Sequence, residues 1–173
     1  MKIFLSGYMG SGKSLIAHHL AQKLNYTHID LDDQIALIEE QSIPAIFKTR
    51  GELYFRKRET NVLEDVIEEP ASLVIAMGGG TPCYGNNMEL LKASGDVKTV
   101  YLKASVKFLT DRLLNEKDTR PVISHLKNKE ELEDFIRKHL FERSYYYNQA
   151  DLIINVEGKT PEVITEEIIQ KLQ

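Results

Sequence analysis

The sequence predicts an α/β fold in which a parallel β-sheet carries helices on both faces. Short apolar segments alternate with longer amphipathic segments along the whole chain. Residues 72–77 (SLVIAM) are continuously apolar, which is typical of a strand that is covered on both faces. The glycine-rich segment GYMGSGKS directly follows the first apolar run and opens a helical pattern. Alternation of this kind implies right-handed crossovers and therefore parallel strands.

The first half of the chain follows this alternation up to Pro70. Leu15, Ile16, Leu20 and Leu24 recur near the 3.6-residue spacing of a helix. Pro44 suits the first turn of a helix, and Pro70 ends the longest one. We predict strands at 2–6, 26–30 and 72–77, and helices at 13–24, 31–40, 43–49 and 51–68.

The second half continues the pattern with one long interruption. We predict strands at 98–103 and 152–156, and helices at 86–94, 105–114, 128–149 and from Pro161 onward, with Thr160 as the last N-cap. Residues 31–68 and 115–125 are too long to be plain crossovers. Both leave from the carboxyl ends of strands, where open parallel sheets bind ligands.

The bulk properties exclude several classes of function. The 173 residues suit one domain, and the net charge of −4 gives no reason to expect nucleic-acid binding. The one cysteine, Cys83, excludes an internal disulfide and a cysteine-based zinc site. No apolar run approaches the roughly 20 residues of a membrane span, and no signal peptide is evident. We expect a cytoplasmic protein, monomeric by default, with no membrane partner.

Residues 7–14 match the phosphate-binding pattern G-x-x-x-x-G-K-[ST] between a strand and a helix. Glycines let the backbone N–H groups curl around a phosphate, and the helix N-terminus adds positive charge. Lys13 can then reach the β- and γ-phosphates, and the Ser14 hydroxyl can ligate Mg²⁺. This pattern predicts nucleoside triphosphate binding without separating kinases from GTPases and ATPases.

Two of those classes lack their further signals. No guanine-selecting N-K-x-D follows a later strand, and the third strand ends in methionine and glycines rather than in an acidic residue. The carboxylates near a metal must therefore come from elsewhere. Asp30 and Asp32, at the end of the second strand, are the best candidates. Asp33 belongs to the first turn of the next helix, where a negative charge favours the helix dipole.

The chain resembles the shikimate kinase family nearly from end to end. The resemblance rests on six features in order: Gly7–Ser14, Asp30-Leu31-Asp32, Phe55-Arg56, Gly78-Gly79-Gly80, Arg120-Pro121 and Arg143. It implies Mg²⁺-dependent transfer of the ATP γ-phosphoryl group to the 3-hydroxyl of shikimate, a step of aromatic amino-acid biosynthesis. It also implies a P-loop kinase fold with three α/β/α layers and strand order 2-3-1-4-5. We expect one kinase domain over 1–173, with a substrate-binding subregion at 31–60 and a lid at 112–125.

The resemblance also implies roles for individual residues. It assigns nucleotide binding to Gly10, Ser11, Gly12, Lys13, Ser14, Leu15, Arg112 and Arg120, and Mg²⁺ to Ser14 and Asp30. It assigns the substrate to Asp32, Arg56, Gly78, Gly79, Gly80 and Arg143. Lys13, Asp32 and Arg120 are the expected catalytic residues: Asp32 orients the attacking hydroxyl or takes its proton, and Arg120 stabilises the transition state.

Some alternatives remain open in the sequence. Arg56 could pair with Glu52 one turn earlier, and Glu59 could hold Arg56 in place. Arg143 lies among Glu142 and three tyrosines and could be an exposed helix charge. RSYYY also stands where the family usually has a proline two residues after the arginine, which leaves the orientation of Arg143 open. A gluconate kinase is the nearest rival enzyme. A nucleotide-binding regulatory module without turnover is the rival from another class.

Overall fold

The computed structural model describes residues 1–117, 120 and 122–173, and its centre is a sheet of five parallel strands. The strands are β1 (Lys2–Ser6), β2 (Thr27–Asp30), β3 (Leu73–Ala76), β4 (Val97–Lys103) and β5 (Leu152–Asn155). Their order is β2-β3-β1-β4-β5, which confirms the expected topology.

Eight α-helices surround the sheet in the described part of the chain. They are α1 (Lys13–Leu24), α2 (Leu31–Glu39), α3 (Ile43–Arg50), α4 (Glu52–Glu68), α5 (Asn87–Ala93), α6 (Val106–Leu114), α7 (Lys129–Tyr147) and α8 (Pro161–Leu172). No helix among the described residues is long and apolar enough to cross a membrane.

The sequence predicted every one of these elements, with ends that differ by one or two residues. It missed a 3₁₀ turn at Thr81–Cys83, because three residues are too few to show a periodic pattern. Side chains cap several helices as expected: Thr160 accepts a hydrogen bond from the N–H of Val163 at the start of α8. Gly51, at φ +83°, separates α3 from α4.

The sheet divides the core into two layers. Along β1, Ile3 and Leu5 face one buried cluster and Phe4 faces the other, as the two-residue period of a strand requires. The first cluster contains residues of α1, α6, α7 and α8, and the second contains residues of α2, α3, α4 and α5. Helices therefore cover both faces, as expected for a parallel sheet.

The register of the sheet sets the level at which the carboxyl ends of β1, β2 and β3 lie. Ala76 at the end of β3 pairs with Asp30 of β2 on one side and with Leu5 of β1 on the other. The carboxyl ends of these three strands therefore stand at one level. The phosphate loop, the first turn of α2 and the glycine turn after β3 all start there.

Candidate active site

A cavity of about 470 Å³ opens at the carboxyl edge of β1, β2 and β3. Nearly every site residue expected from the sequence lines it: Gly10, Gly12, Lys13, Ser14, Leu15, Asp30, Asp32, Arg56, Gly78, Gly79, Gly80, Arg112, Arg120 and Arg143. Ser11 is the exception, because its side chain is 2% exposed and its N–H donates to the carbonyl of Tyr8 at 3.1 Å.

The phosphate loop is already curled in this structure. Gly10 and Gly12 have φ values of +82° and +95°, which L side chains rarely adopt, and Gly12 caps α1. The Lys13 amine donates to the Gly7 carbonyl at 2.9 Å and to the Tyr8 carbonyl at 3.2 Å. Desolvation by burial lowers the pKa of Lys13 to about 8, although Asp32 and Asp30 oppose this shift. The negative charge of a triphosphate in the loop would raise this pKa and favour the protonated amine.

Ser14 and Asp30 face each other at the mouth of this loop. The Ser14 hydroxyl donates to Asp30 Oδ2 at 2.7 Å, while Asp30 Oδ1 accepts from the N–H of Asp32 and caps α2. A hydroxyl and a carboxylate are hard oxygen ligands, so this pair fits Mg²⁺. No group of three or more His, Cys, Asp or Glu side chains in the described part of the chain could hold a metal ion. Phosphate and water oxygens would therefore complete the coordination of Mg²⁺ here.

Asp32 and Asp33 occupy different surroundings although they are neighbours. Burial, together with the negative charges of Asp30 and Glu59, raises the pKa of Asp32 to about 6 against the opposing effect of Lys13 and Arg56. Its Oδ1 lies against the backbone of Gly78, where an added Cβ would be 2.9 Å away. Asp33 is exposed in the first turn of α2. Asp32 lines the cavity and has a raised pKa, which suits a proton acceptor, whereas Asp33 is not among the described residues that line the cavity.

Arg56 is held by a buried carboxylate. Its Nη1 donates to Glu59 Oε2 at 2.8 Å, and the other oxygen of Glu59 accepts from the Thr81 hydroxyl at 2.6 Å. Glu59 is only 1% exposed, so this pair fixes the guanidinium firmly. Glu52 also lies near Arg56, at 3.6 Å from Nε, but it is 66% exposed and contributes little.

Sequence reasoning missed Asn87, which holds the 3₁₀ turn in place. Its side chain is fully buried, donates to the Thr81 carbonyl at 2.8 Å and accepts from the Thr60 hydroxyl at 2.8 Å. Thr81 in turn contacts Glu59, so Asn87 supports the group that holds Arg56. Nothing in the sequence marked it, because an asparagine at the start of a helix is usually a cap.

The turn of Gly78, Gly79 and Gly80 lets two arginines approach the backbone. A Cβ on Gly80 would lie 2.5 Å from Arg56 Nη2, and a Cβ on Gly79 would lie 3.0 Å from Arg143 Nη1. The backbone of Gly80 is ordinary, at φ −90° and ψ −17°, so any residue could adopt it. Space, rather than conformation, is what glycine provides here.

Arg143 reaches the turn from α7 and is not an outward-facing charge. Its guanidinium carbon lies 5.9 Å from the ring centroid of Tyr8. No carboxylate among the described residues forms a salt bridge with it. The next turn of α7 holds Tyr147, which is fully buried and donates to the Gly79 carbonyl at 2.6 Å. The helix continues through Tyr145 without the family's proline, and Arg143 still lines the cavity.

Arg112 and Arg120 complete the cavity on the side of α6. Arg120 donates twice to Glu116 Oε2, from Nη2 at 2.5 Å and from Nε at 3.0 Å. Arg112 lies beside Phe108 and the phosphate loop, where its Nη1 would be 3.9 Å from a Cβ on Gly12. Pro121, the second residue of the expected lid motif, lies outside the described residues.

Comparison with known proteins identifies relatives along the whole chain. The family model described as shikimate kinase matches residues 9–173. The shikimate kinase of Flavobacterium johnsoniae is 42% identical over 171 residues, which cover 99% of this chain and 98% of the relative. That of Azobacteroides pseudotrichonymphae is 43% identical, with 99% of both chains covered.

Two crystal structures are similar as well. The shikimate kinase from Bacteroides thetaiotaomicron has a TM-score of 0.90 and 38% identity, and covers 99% of this chain and 98% of its own. The shikimate kinase from Acinetobacter baumannii in complex with shikimate has a TM-score of 0.86 and 32% identity, with 99% of this chain and 92% of its own covered.

The raised pKa of Asp32 predicts a pH-dependent cost to the ligand-free fold. The pKa near 6 exceeds the value of about 3.9 in an unfolded chain, so the folded state binds this proton more tightly. The stabilisation that the proton confers is complete below pH 4 and is lost as the pH rises through 6. When the pH is raised from 4.5 to 7.5, we expect the free energy of unfolding of Asp32→Asn to increase by about 2 kcal/mol relative to that of the parent.

Urea unfolding at both pH values, with EDTA and without nucleotide, measures this gain. The exposed Asp33→Asn variant is the matched control and should differ little from the parent at either pH. An Asp32→Asn variant that loses stability relative to the parent as the pH rises would contradict the assigned environment of Asp32.

Proposed function

The chain belongs to the shikimate kinase family, and we propose that it transfers the γ-phosphoryl group of ATP to the 3-hydroxyl of shikimate, yielding ADP and 3-phosphoshikimate. One observation supports this most directly. Arg56 and Arg143 converge on the glycine turn next to Asp32, across one cavity from the phosphate loop. Such a site can grip a small hydroxylated carboxylate and present one of its hydroxyls to a triphosphate.

For the nucleotide, we propose that the loop around Gly10, Gly12 and Lys13 binds the phosphates of ATP. Lys13 now donates to carbonyls of its own loop, and a γ-phosphate oxygen would replace them as the stronger acceptor. Ser14 and Asp30 would hold Mg²⁺, Asp30 through water; when bound, this ion neutralises charge on the phosphates. Backbone groups at Ser11 and Leu15 and the side chain of Arg112 complete the proposed contacts.

For the substrate, we propose that the two arginines bind the carboxylate of shikimate. A guanidinium can form a bidentate pair with a carboxylate, and Arg56 is already fixed in place by Glu59. The backbone at Gly78, Gly79 and Gly80 would contact the ring, since these residues carry no side chains of their own. The 31–60 subregion supplies Asp32 and Arg56 to this pocket.

Asp32 is the proposed acceptor of the hydroxyl proton. With a pKa near 6 it is largely ionised at neutral pH, yet basic enough to accept a hydrogen bond or a proton from the attacking hydroxyl. Lys13 is the nearby cation that lowers this pKa and keeps Asp32 charged. Phosphoryl transfer depends mainly on positioning and charge stabilisation, which these residues provide.

We propose that residues 112–125 form a lid over the nucleotide. Arg120 is bonded to Glu116 in this structure, so it must exchange that carboxylate for phosphate oxygens to stabilise the transition state. We propose a monomer of a single domain that takes small molecules only. The lone half-buried Cys83 fits a reducing compartment, and we propose the cytoplasm.

A coupled ADP-release assay tests the proposed function. Shikimate, gluconate and AMP are offered separately with MgATP, and we expect shikimate alone to stimulate ADP release strongly. Stimulation by gluconate would favour the rival kinase. Nucleotide binding without stimulation by any of the three would favour a regulatory module.

The glycine turn gives a prediction specific to the substrate. Gly80→Ala places a methyl group against the Arg56 guanidinium. Arg56 must then move away from the proposed position of the shikimate carboxylate. We expect the KM for shikimate to rise about tenfold while the KM for ATP changes little, as measured by steady-state kinetics.

Gly95→Ala is the matched control, because nothing lies within 4 Å of a Cβ at that glycine. It should leave both KM values unchanged. A Gly80→Ala enzyme with a normal KM for shikimate would remove Arg56 from the proposed carboxylate site.

A further inference from the structure

A partly buried hydrogen bond joins the phosphate loop to α7 across a long stretch of sequence. The Tyr8 hydroxyl lies 3.0 Å from His139 Nδ1, and the two rings meet edge to face with centroids 5.4 Å apart. Tyr8 is 1% exposed, and Phe135 packs on the other side of His139 at 5.3 Å between ring centroids. Neither Tyr8 nor His139 has a role in the proposed chemistry.

Tyr8 contacts both the nucleotide side and the substrate side of the site, through different groups of atoms. Its carbonyl accepts from the Lys13 amine at 3.2 Å and so belongs to the nucleotide side. Its ring lies 5.9 Å from the guanidinium carbon of Arg143, on the substrate side. Its hydroxyl is the atom that bonds to α7. One residue therefore connects the loop lysine with the helix that carries the substrate arginine.

On α7, His139, Arg143 and Tyr147 are spaced four residues apart and lie along one face. His139 bonds to the phosphate loop, and Tyr147 donates to the Gly79 carbonyl of the glycine turn at 2.6 Å. Arg143 lies between these two attachments. Arg56 is fixed by its salt bridge to Glu59. Arg143 forms no such salt bridge with a carboxylate among the described residues. Its position therefore depends on how α7 is held.

The bond between Tyr8 and His139 joins two neutral groups. Burial raises the pKa of Tyr8 to about 12, so the phenol keeps its proton. Burial and the nearby charge of Arg143 lower the pKa of His139, which outweighs the opposing effect of Glu142. The bond adds no charge beside Arg143, so it can position that arginine without repelling it or neutralising it.

We propose that His139 is a positioning residue that, by bonding to the Tyr8 hydroxyl, holds α7 in the register at which Arg143 reaches the substrate carboxylate. This rests on the proposed function, since it assumes that Arg143 binds the carboxylate of shikimate. It adds a second consequence. Because Tyr8 also contacts Lys13, changes in the phosphate loop on nucleotide binding are transmitted to the substrate arginine through this bond.

A double-mutant cycle tests this proposal. Tyr8→Phe removes only the hydroxyl, and His139→Leu removes the ring nitrogen while it keeps an apolar side chain of similar reach. We expect each single variant to raise the KM for shikimate about fivefold, with kcat within twofold of the parent, because one neutral hydrogen bond is lost. The double variant should match the single ones, because its second change removes a bond that is already broken.

Two further variants separate positioning from folding. Tyr145→Phe removes an exposed hydroxyl from the same helix, where the side chain is 73% exposed, and should leave the KM unchanged. His139→Gln retains a side-chain hydrogen-bonding group and should recover part of the loss. The melting temperature of each variant is measured in parallel, and calorimetry of shikimate binding with and without ADP should show a smaller effect of ADP in Tyr8→Phe.

Three results would overturn the proposal: an unchanged KM for shikimate in Tyr8→Phe, effects that multiply in the double variant, or an undiminished effect of ADP on shikimate binding. The parent enzyme separates this proposal from the proposed function. If the parent does not phosphorylate shikimate, the function itself fails. If the parent does so and the variants behave like it, only the role of His139 fails.

Discussion

The pairing of β3 with both of its neighbours is the constraint on which the site depends. Asp30, Ala76 and Leu5 stand side by side in three adjacent strands, so the three following loops begin at one level. A shift of β2 by one residue would place its side chains on the opposite face of the sheet and separate Asp30 from Ser14. The Ser14–Asp30 pair, the glycine turn and the phosphate loop meet because β1, β2 and β3 pair in this register.

At that edge, the fold places opposite charges together before any ligand arrives. Lys13 lies among carbonyls of its own loop and has its pKa lowered to about 8, while Asp32 has its pKa raised to about 6. Desolvation is the largest cause in both residues. Burial thus moves both pKa values closer to neutral pH. Burial of these charged groups costs electrostatic free energy, which a bound triphosphate and its cation would offset.

The sequence predicted the parts of the site that are local in the chain. The phosphate loop, the place of Asp33 in the first turn of α2 and the pair of Arg56 with Glu59 each depend on residues a few positions apart, so spacing reveals them. The bond of Tyr8 to His139 spans 131 positions, and the packing of helices against the loop determines it. The spacing of His139, Arg143 and Tyr147 shows a shared face but not what that face touches. Asn87 was missed for the same reason, since its partners Thr60 and Thr81 are distant or come from an unrecognised turn.

The central claim is that three adjacent carboxylates have separate roles, with Asp32 alone at the reacting hydroxyl. Single-turnover phosphorylation of shikimate by Asp32→Asn and Asp33→Asn, at saturating MgATP and shikimate, tests it most directly. The two changes are identical in chemistry and one residue apart. We expect Asp32→Asn to slow the transfer step at least about a hundredfold, within the range of a lost acid–base group, and Asp33→Asn to stay within about twofold of the parent. Equal losses in the two variants would contradict it.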